Sequence, residues 1–239
     1  MKPVSIMWTQ GVDTAEAQLA VSAVRDFLRL VYSIGHRAGL ALPPTTIRPF
    51  GTWYIPSQPE GSPYWGTHWY IDNSFDATRQ QVIGARFLEL VREEPWQKAS
   101  PHWDVALIDR DLVDSAPAPA SEGCAEFALG ASVPELATVL SVFRLRGLVR
   151  PEQRERALRR LVLHQFGEVL GLPSRSRQTG LVTGFDQRSC AHRCVMHRAA
   201  TVEQLVLAAE QEHADRVLLC EQCQRDVVEI MVMRGRSPN

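Results

Sequence analysis

The sequence contains no apolar run near the roughly 20 residues that a bilayer-spanning helix requires, so a transmembrane helix is not expected. The opening stretch MKPVSIMWTQGVD turns polar too soon to read as a secretory signal, and the expected location is the cytoplasm. An excess of charge is also missing. Lys and Arg number 26 against 27 Asp and Glu, a net charge of -1, which gives no continuous footprint for nucleic acid. Trp53, Trp65, Trp69 and Trp103 do not alternate with basic residues as a base-stacking platform would, and read as core and loop anchors. Disorder is excluded by a hydrophobic content of 45%. Cysteine is scarce, at 5 in 239 residues, and a chain long enough to bury a sizeable core needs no disulfide framework. No internal repeat is visible.

What is present begins with a segregation of charge. Residues 144–160 are rich in Arg and residues 100–143 in acids, which reads first as a solvated helix face and second as a basic surface beside an acidic one. Periodicity and turn residues predict a strand over 4–8 and a helix over 14–31 with Asp13 as its cap. Further strands are expected over 46–54 and 67–71, then a helix over 76–91 ended by Pro95. A buried strand over 102–112 precedes a Pro-punctuated linker over 113–123 and a strand over 124–132. Residues 135–145 are ambiguous between helix and strand. Residues 152–170 form a strong helix candidate with a Pro at its start and Gly171 at its end, and 201–217 a further helix. The sum is an α+β or layered α/β chain.

Four of the cysteines fall in two close pairs, CAHRC (Cys190, Cys194) and CEQC (Cys220, Cys223). Each pair can offer two thiolates to one ion, and four soft ligands favour tetrahedral zinc. CEQC lacks the strand-to-helix setting of a redox centre. His192 and His197 lie nearby but are not needed once four thiolates complete the count. Cys124 has no partner by spacing and reads as a small buried residue. The binding energy of such a zinc is also folding energy for the tail, on the order of 10 kcal/mol.

The stretch HQFGEVLGLPS, starting at His164, has the rhythm of a zinc-protease helix. In H-E-x-x-H two imidazoles sit one turn apart, a rise of about 6 Å, and the Glu takes a proton from the zinc-bound water. Here Gln165 occupies the position of that Glu, and an amide cannot act as a base near neutral pH. His164 and Glu168 could still ligate a metal, but two ligands are too few. Beyond Gly171 the chain supplies Ser174 beside Arg175, a poor ligand beside a repelling cation. Without a family to compare, a helical His with a Glu four residues on reads as a hydrogen-bonded pair.

Taken together, HQFGEVLGLPS, CAHRCVM and CEQC resemble the archaemetzincins, within the metzincin group of zinc peptidases. That family carries a HExxHxxGxxH helix, then a Cys/Cys-x-Met segment and a later CxxC, its four cysteines holding a second, structural zinc. DVALIDRDL, FALGAS and VFRLR also resemble the family's path toward the active helix, and the likeness spans roughly residues 102–225. It implies an α+β fold in which a metzincin-like twisted mixed β-sheet packs with long helices, followed by a C-terminal zinc-bound segment held by four cysteines. The metzincin-like domain would cover 1–175, including the active-site-like helix 152–171. The C-terminal subdomain would cover 176–239, with Met196 in the Met-turn position and the zinc on Cys190, Cys194, Cys220 and Cys223. A strand over 127–132 would line the cleft. Departures concentrate at the chemistry: Gln165, Glu168 and Ser174 stand where the family has its Glu and its second and third His. An insertion, RSRQTGLVTGFDQRS, also displaces the first cysteine.

The resulting expectation is a catalytically inactive archaemetzincin-like zinc-binding protein. It has no catalytic residue, one structural Zn2+ and no second ion at the degenerate positions His164, Gln165, Glu168 and Ser174. A protein or peptide partner would bind the remnant cleft by adding to the sheet edge at 127–132, and neither nucleic acid nor a membrane is expected as a partner. One alternative is a metal-dependent hydrolase with altered ligands, drawing a third ligand from His68, His102, His192 or His197 and a base from Glu126 or Asp186. Another is a nucleic-acid-associated zinc protein.

Overall fold

The computed structural model describes residues 1–114, 127–184 and 187–236. Its centre is a five-stranded mixed sheet. Strands β1 (Val4–Trp8), β2 (Ile47–Gly51), β5 (Trp103–Ile108), β7 (Gly130–Val133) and β8 (Ala137–Ser141) lie in the order β2-β1-β5-β8-β7. All neighbours are parallel except β7, which runs antiparallel to β8 at the edge. The central strands are apolar on both faces because helices cover both. Side chains alternate accordingly. Val4, Ile6, Trp103, Val105, Leu107 and Leu140 enter one core, while Met7, Ala106, Ile108, Ala137 and Val139 enter a second.

The first core is built with α1 (Thr14–Arg37) and α5 (Pro151–Val169). Helix α1 begins at Asp13, whose backbone N–H donates to Glu16 Oε2 at 2.9 Å. It runs six residues past the expected end at 31, closing with the basic pair His36 and Arg37. Helix α5 starts with Pro151 at its first turn and ends before Gly171, whose φ of +87° supplies the left-handed exit. Helices α6 (Val202–Asp215) and α7 (Glu221–Arg236) complete this side, and α6 packs along α5. Thr201 caps α6 by accepting from Gln204 N at 3.3 Å. A hairpin of β9 (Leu181–Gly184) and β10 (Gln187–Cys190) delivers the first zinc-ligand candidate.

The second core is covered by α2 (Thr67–Ser74), α3 (Gly84–Glu93) and the short α4 (Pro95–Ala99), with a small sheet of β3 (Phe75–Asp76), β4 (Gln81–Ile83) and β6 (Leu112–Val113). Two expectations fail here. Residues 67–71 belong to a helix, not a strand, because tertiary packing outweighs the β preference of aromatic residues. The turn carries Trp69 and Tyr70 into an aromatic cluster, their rings 5.4 Å apart, and Tyr64 sits 4.3 Å from Trp69. Residues 76–91 are not one helix. Asp76 Oδ1 accepts from Thr78 N at 2.9 Å, turning the chain between β3 and β4, and helix begins only at Gly84. Pro95 does stop α3, and it opens α4 at the same time.

The strand expected over 102–112 divides into β5 and β6, and the ambiguous stretch 135–145 resolves into β8 and a 3-10 turn at Arg144–Gly147. Most of the 113–123 linker, with Cys124 and Glu126, lies outside the described residues, as does Asp186.

Candidate functional site

Helix α5 brings the motif residues against the sheet, and each is already engaged. His164 is 4% exposed, and its Nδ1 donates to Val195 O at 2.8 Å. Nε2 is the nitrogen left to take a ligand, and it lies 3.4 Å from Glu168 Oε1. Gln165 is turned into the sheet. Its Oε1 accepts from Ser132 Oγ at 2.5 Å and Thr138 Oγ1 at 3.1 Å, and a Cβ added at Gly130 would meet its Cδ at 2.7 Å. The amide therefore ties α5 to β7 and β8. Ser174, 1% exposed, lies 3.0 Å from Ser176 Oγ. Among the described residues, no third His, Cys, Asp or Glu joins His164 and Glu168 within 4.8 Å. A cavity of about 70 Å³ lies beside His164 and Gln165, bounded by Arg198, Ala200 and Leu205.

Beneath α5, Met196 is fully buried with its sulfur against Gly167; a Cβ there would meet Sδ at 2.4 Å. The methionine thus packs against the motif helix.

The four cysteines from CAHRC and CEQC converge, with their sulfurs all within 4.8 Å of one another. Cys190 comes from the end of β10, Cys194 from the following turn, Cys220 from the residue before α7 and Cys223 from its first turn. Cys190 Sγ is 3.6 Å from Cys220 Sγ and Cys194 Sγ is 3.7 Å from Cys223 Sγ. A tetrahedral zinc with bonds of about 2.3 Å has edges of about 3.8 Å, so the spacing fits one ion. Thiols this close cannot all ionise unaided. Hydrogen bonds from Cys194 and Cys223 hold the Cys190 thiol far below its usual range, and the reciprocal bond to Cys190 pushes Cys194 up to about 12. A metal ion removes that conflict by deprotonating its ligands.

Arg177, from the insertion, is the residue that sequence reasoning missed. It is 8% exposed, and its guanidinium donates to Cys190 Sγ at 3.3 Å and Cys223 Sγ at 3.4 Å and pairs with buried Asp226 at 3.1 Å. Nothing in its local sequence distinguishes it from the neighbouring Arg175. His192 and His197 stay outside the cluster, on Gln222 Oε1 at 3.1 Å and Cys190 O at 2.8 Å.

A second group of metal-ligating side chains lies elsewhere: Glu94, His102 and Asp104, with ligand atoms within 4.8 Å of one another. His102, one of the histidines considered as a third ligand for α5, belongs to this group. Asp104 alternates with Ala106 and Ile108 along β5, so the group lies on the face of the sheet opposite α5. His102 Nδ1 donates to Ser100 O at 2.7 Å while Nε2 faces Asp104 Oδ2 at 3.3 Å. Burial pushes the Glu94 carboxyl up to about 8, with the nearby Asp104 charge adding to it. The His102 imidazole rises to about 9 despite its burial, because its bond to Asp104 favours the cation. The H-x-D spacing at the start of β5, which puts both side chains on one sheet face, is the signal that could have found it.

No protein-family model and no curated protein sequence matches the chain. Solved structures do. The chain is similar to the crystal structure of archaemetzincin from Methanopyrus kandleri, with 16% identity and a TM-score of 0.58, covering 97% of this chain and 96% of that one. It is also similar to a zinc-dependent peptidase from Methanocorpusculum labreanum, with 14% identity and a TM-score of 0.55, over 94% and 99% of the two chains. The α+β, metzincin-like fold expected from the motifs is therefore the fold observed, with its C-terminal cysteine cluster able to hold metal.

Proposed function

We propose that this chain is a noncatalytic archaemetzincin-like protein, with one structural zinc on Cys190, Cys194, Cys220 and Cys223, that serves as a protein- or peptide-binding module. The observation that carries the reading is the engagement of the motif helix. His164 and Glu168 lack a third ligand among the described residues, and Gln165 is a bridge to the sheet rather than a proton acceptor. A peptidase of this type needs three protein ligands and a base; among the described residues His164 and Glu168 supply two ligands, and Gln165 supplies no base. The zinc-anchored segment from residue 176 onward is proposed as a subdomain that shares its apolar core with the rest. Four unpaired thiols suit a reducing, cytoplasmic setting, and no helix among the described residues is long and apolar enough to cross a membrane.

For the partner surface we propose the outer edge of β7. A cavity of about 290 Å³ lies beside it, lined by Ser132, Pro134, Glu168, Leu172, Arg175 and Arg188. An extended peptide adding to this edge would bond through its backbone and seat alternate side chains in that cavity. Hydrogen exchange tests the placement: a bound peptide selected from a library should slow exchange at 130–133, and unchanged rates there would reject it.

The zinc reading is tested by spectroscopy on cobalt-substituted protein together with peptide-library assays. Thiolate-to-cobalt charge transfer should disappear in Cys220→Ser and persist in His164→Ala, with no cleavage by either the parent or the variants. Peptide cleavage abolished by His164→Ala would overturn the noncatalytic reading.

A further inference from the structure

Among the described residues, the buried side-chain polar atoms without a hydrogen-bond partner are Trp103 Nε1 and Glu94 Oε2. The second is the one that points to a ligand. Glu94 is 2% exposed and sits at the junction of α3 and α4. Its Oε1 accepts from Tyr70 Oη at 2.6 Å. Glu94 Oε2 makes no hydrogen bond of good geometry; the Trp96 indole near the carboxyl favours its ionised form, and Asp104, itself 4% exposed, lies beside it. The ion pair that Asp104 makes is with His102. Two buried carboxyl groups face one imidazole with one carboxyl oxygen left without a hydrogen bond, and a buried polar atom is stabilised by a hydrogen-bond partner or a metal. Arg48 also borders the adjoining cavity, but it is exposed.

One of the three spacings matches that of ligands around a small ion, and the Glu94 ligand atom lies within 4.8 Å of the other two. His102 Nε2 and Asp104 Oδ2 are 3.3 Å apart. Bonds of about 2.0–2.2 Å to a tetrahedral metal would separate neighbouring N and O ligands by about 3.3–3.5 Å. Each candidate ligand is also held from behind. Ser100 O accepts from His102 Nδ1 and leaves Nε2 turned toward Asp104, Gln97 Nε2 donates to Asp104 Oδ2 at 3.1 Å, and Tyr70 holds Glu94. Outer partners of this kind are what orient metal ligands. The three residues border a cavity of about 330 Å³ whose other walls include Met7, Phe50, Trp53 and Trp96.

We propose that Glu94, His102 and Asp104 bind a divalent first-row transition metal, across the sheet from α5 and the cysteine cluster, with an open coordination position facing the aromatic cavity. One imidazole with two carboxylates selects zinc, manganese, iron or cobalt over calcium or magnesium, which favour all-oxygen shells. Three protein ligands and an open position distinguish this site from the closed set of four thiolates.

The test uses the full chain saturated with zinc and examined by elemental analysis and zinc-edge X-ray absorption. The wild type should hold two ions per chain and show both a sulfur shell and a nitrogen/oxygen shell. Glu94→Gln and His102→Gln should each lose one ion and the nitrogen/oxygen shell, while the sulfur shell persists and reports an intact fold. His164→Ala should keep both. A sulfur shell alone in the wild type overturns the proposal, as does a nitrogen/oxygen shell that survives in the Glu94 and His102 variants or vanishes in His164→Ala alone. Should a variant lose its sulfur shell through misfolding, the wild type decides: a second equivalent of zinc must move the imidazole nitrogen resonances of His102, and resonances that stay in place reject the site.

Discussion

At the scale of single residues, the chemistry of this molecule turns on how polar side chains are spent. Gln165 is in the position where the resembling family has its general base, and here it accepts from two hydroxyls at the helix–sheet boundary. Replacing it with Ala should lower stability by about 1–3 kcal/mol in urea denaturation, because the bridge from α5 to the sheet is lost and a void is left beside Gly130, and leave zinc content unchanged. Arg177 has the opposite character, a surface-type residue in a buried role. Arg177→Ala would leave Asp226 buried and unpaired and remove the guanidinium beside Cys190 and Cys223. A loss of roughly 3–5 kcal/mol is expected, with faster zinc release to a chelator. Neither role is legible in sequence. The alphabet gives Gln165 as a missing base and Arg177 as part of a basic insertion; only the neighbours, far away in the chain, show what the side chains do.

At the scale of elements, α5 was readable from its Pro and Gly punctuation and the long apolar periodicity between them. Its contacts set two further outcomes. Gly167 lets the helix settle on Met196, so Gly167→Ala should cost about 1–3 kcal/mol by overpacking, despite the better helix propensity of Ala; thermal denaturation would register it. Introducing Gln165→Glu, Glu168→His and Ser174→His should not produce a peptidase, since position 165 faces Ser132 and Thr138 in the sheet and Ser174 is buried against Ser176. A peptide-library assay on that triple variant is the measurement, and robust cleavage would show that ligand identity alone silences the site. Elements α2 and β3–β4 were misread for one reason: short segments carry too little periodicity to outvote tertiary contacts such as the Trp69 and Tyr70 cluster.

For the whole molecule, the sheet separates two clusters of metal-ligating side chains. The cysteine cluster ties β10 to α7 and holds the tail against the first core. Chelation, or Cys220→Ser with Cys223→Ser, should therefore remove folding energy on the order of 10 kcal/mol from the C-terminal part, visible as loss of the α6 and α7 helical signal in circular dichroism. The sequence by itself determined the things that local chemistry encodes: the length and apolar content for a sizeable core, the ends of α5, and two cysteine pairs spaced to share an ion. It also showed Gln165, Glu168 and Ser174 where the resembling family has a base and two histidines, because residue identity is enough to rule out a proton acceptor at 165. Tertiary structure alone decided which distant side chains meet. It set Arg177 on the thiols, Gln165 on Ser132 and Thr138, and Glu94 opposite Asp104 on the far side of the sheet. Such meetings depend on strand order and helix packing, which spacing along one chain does not specify.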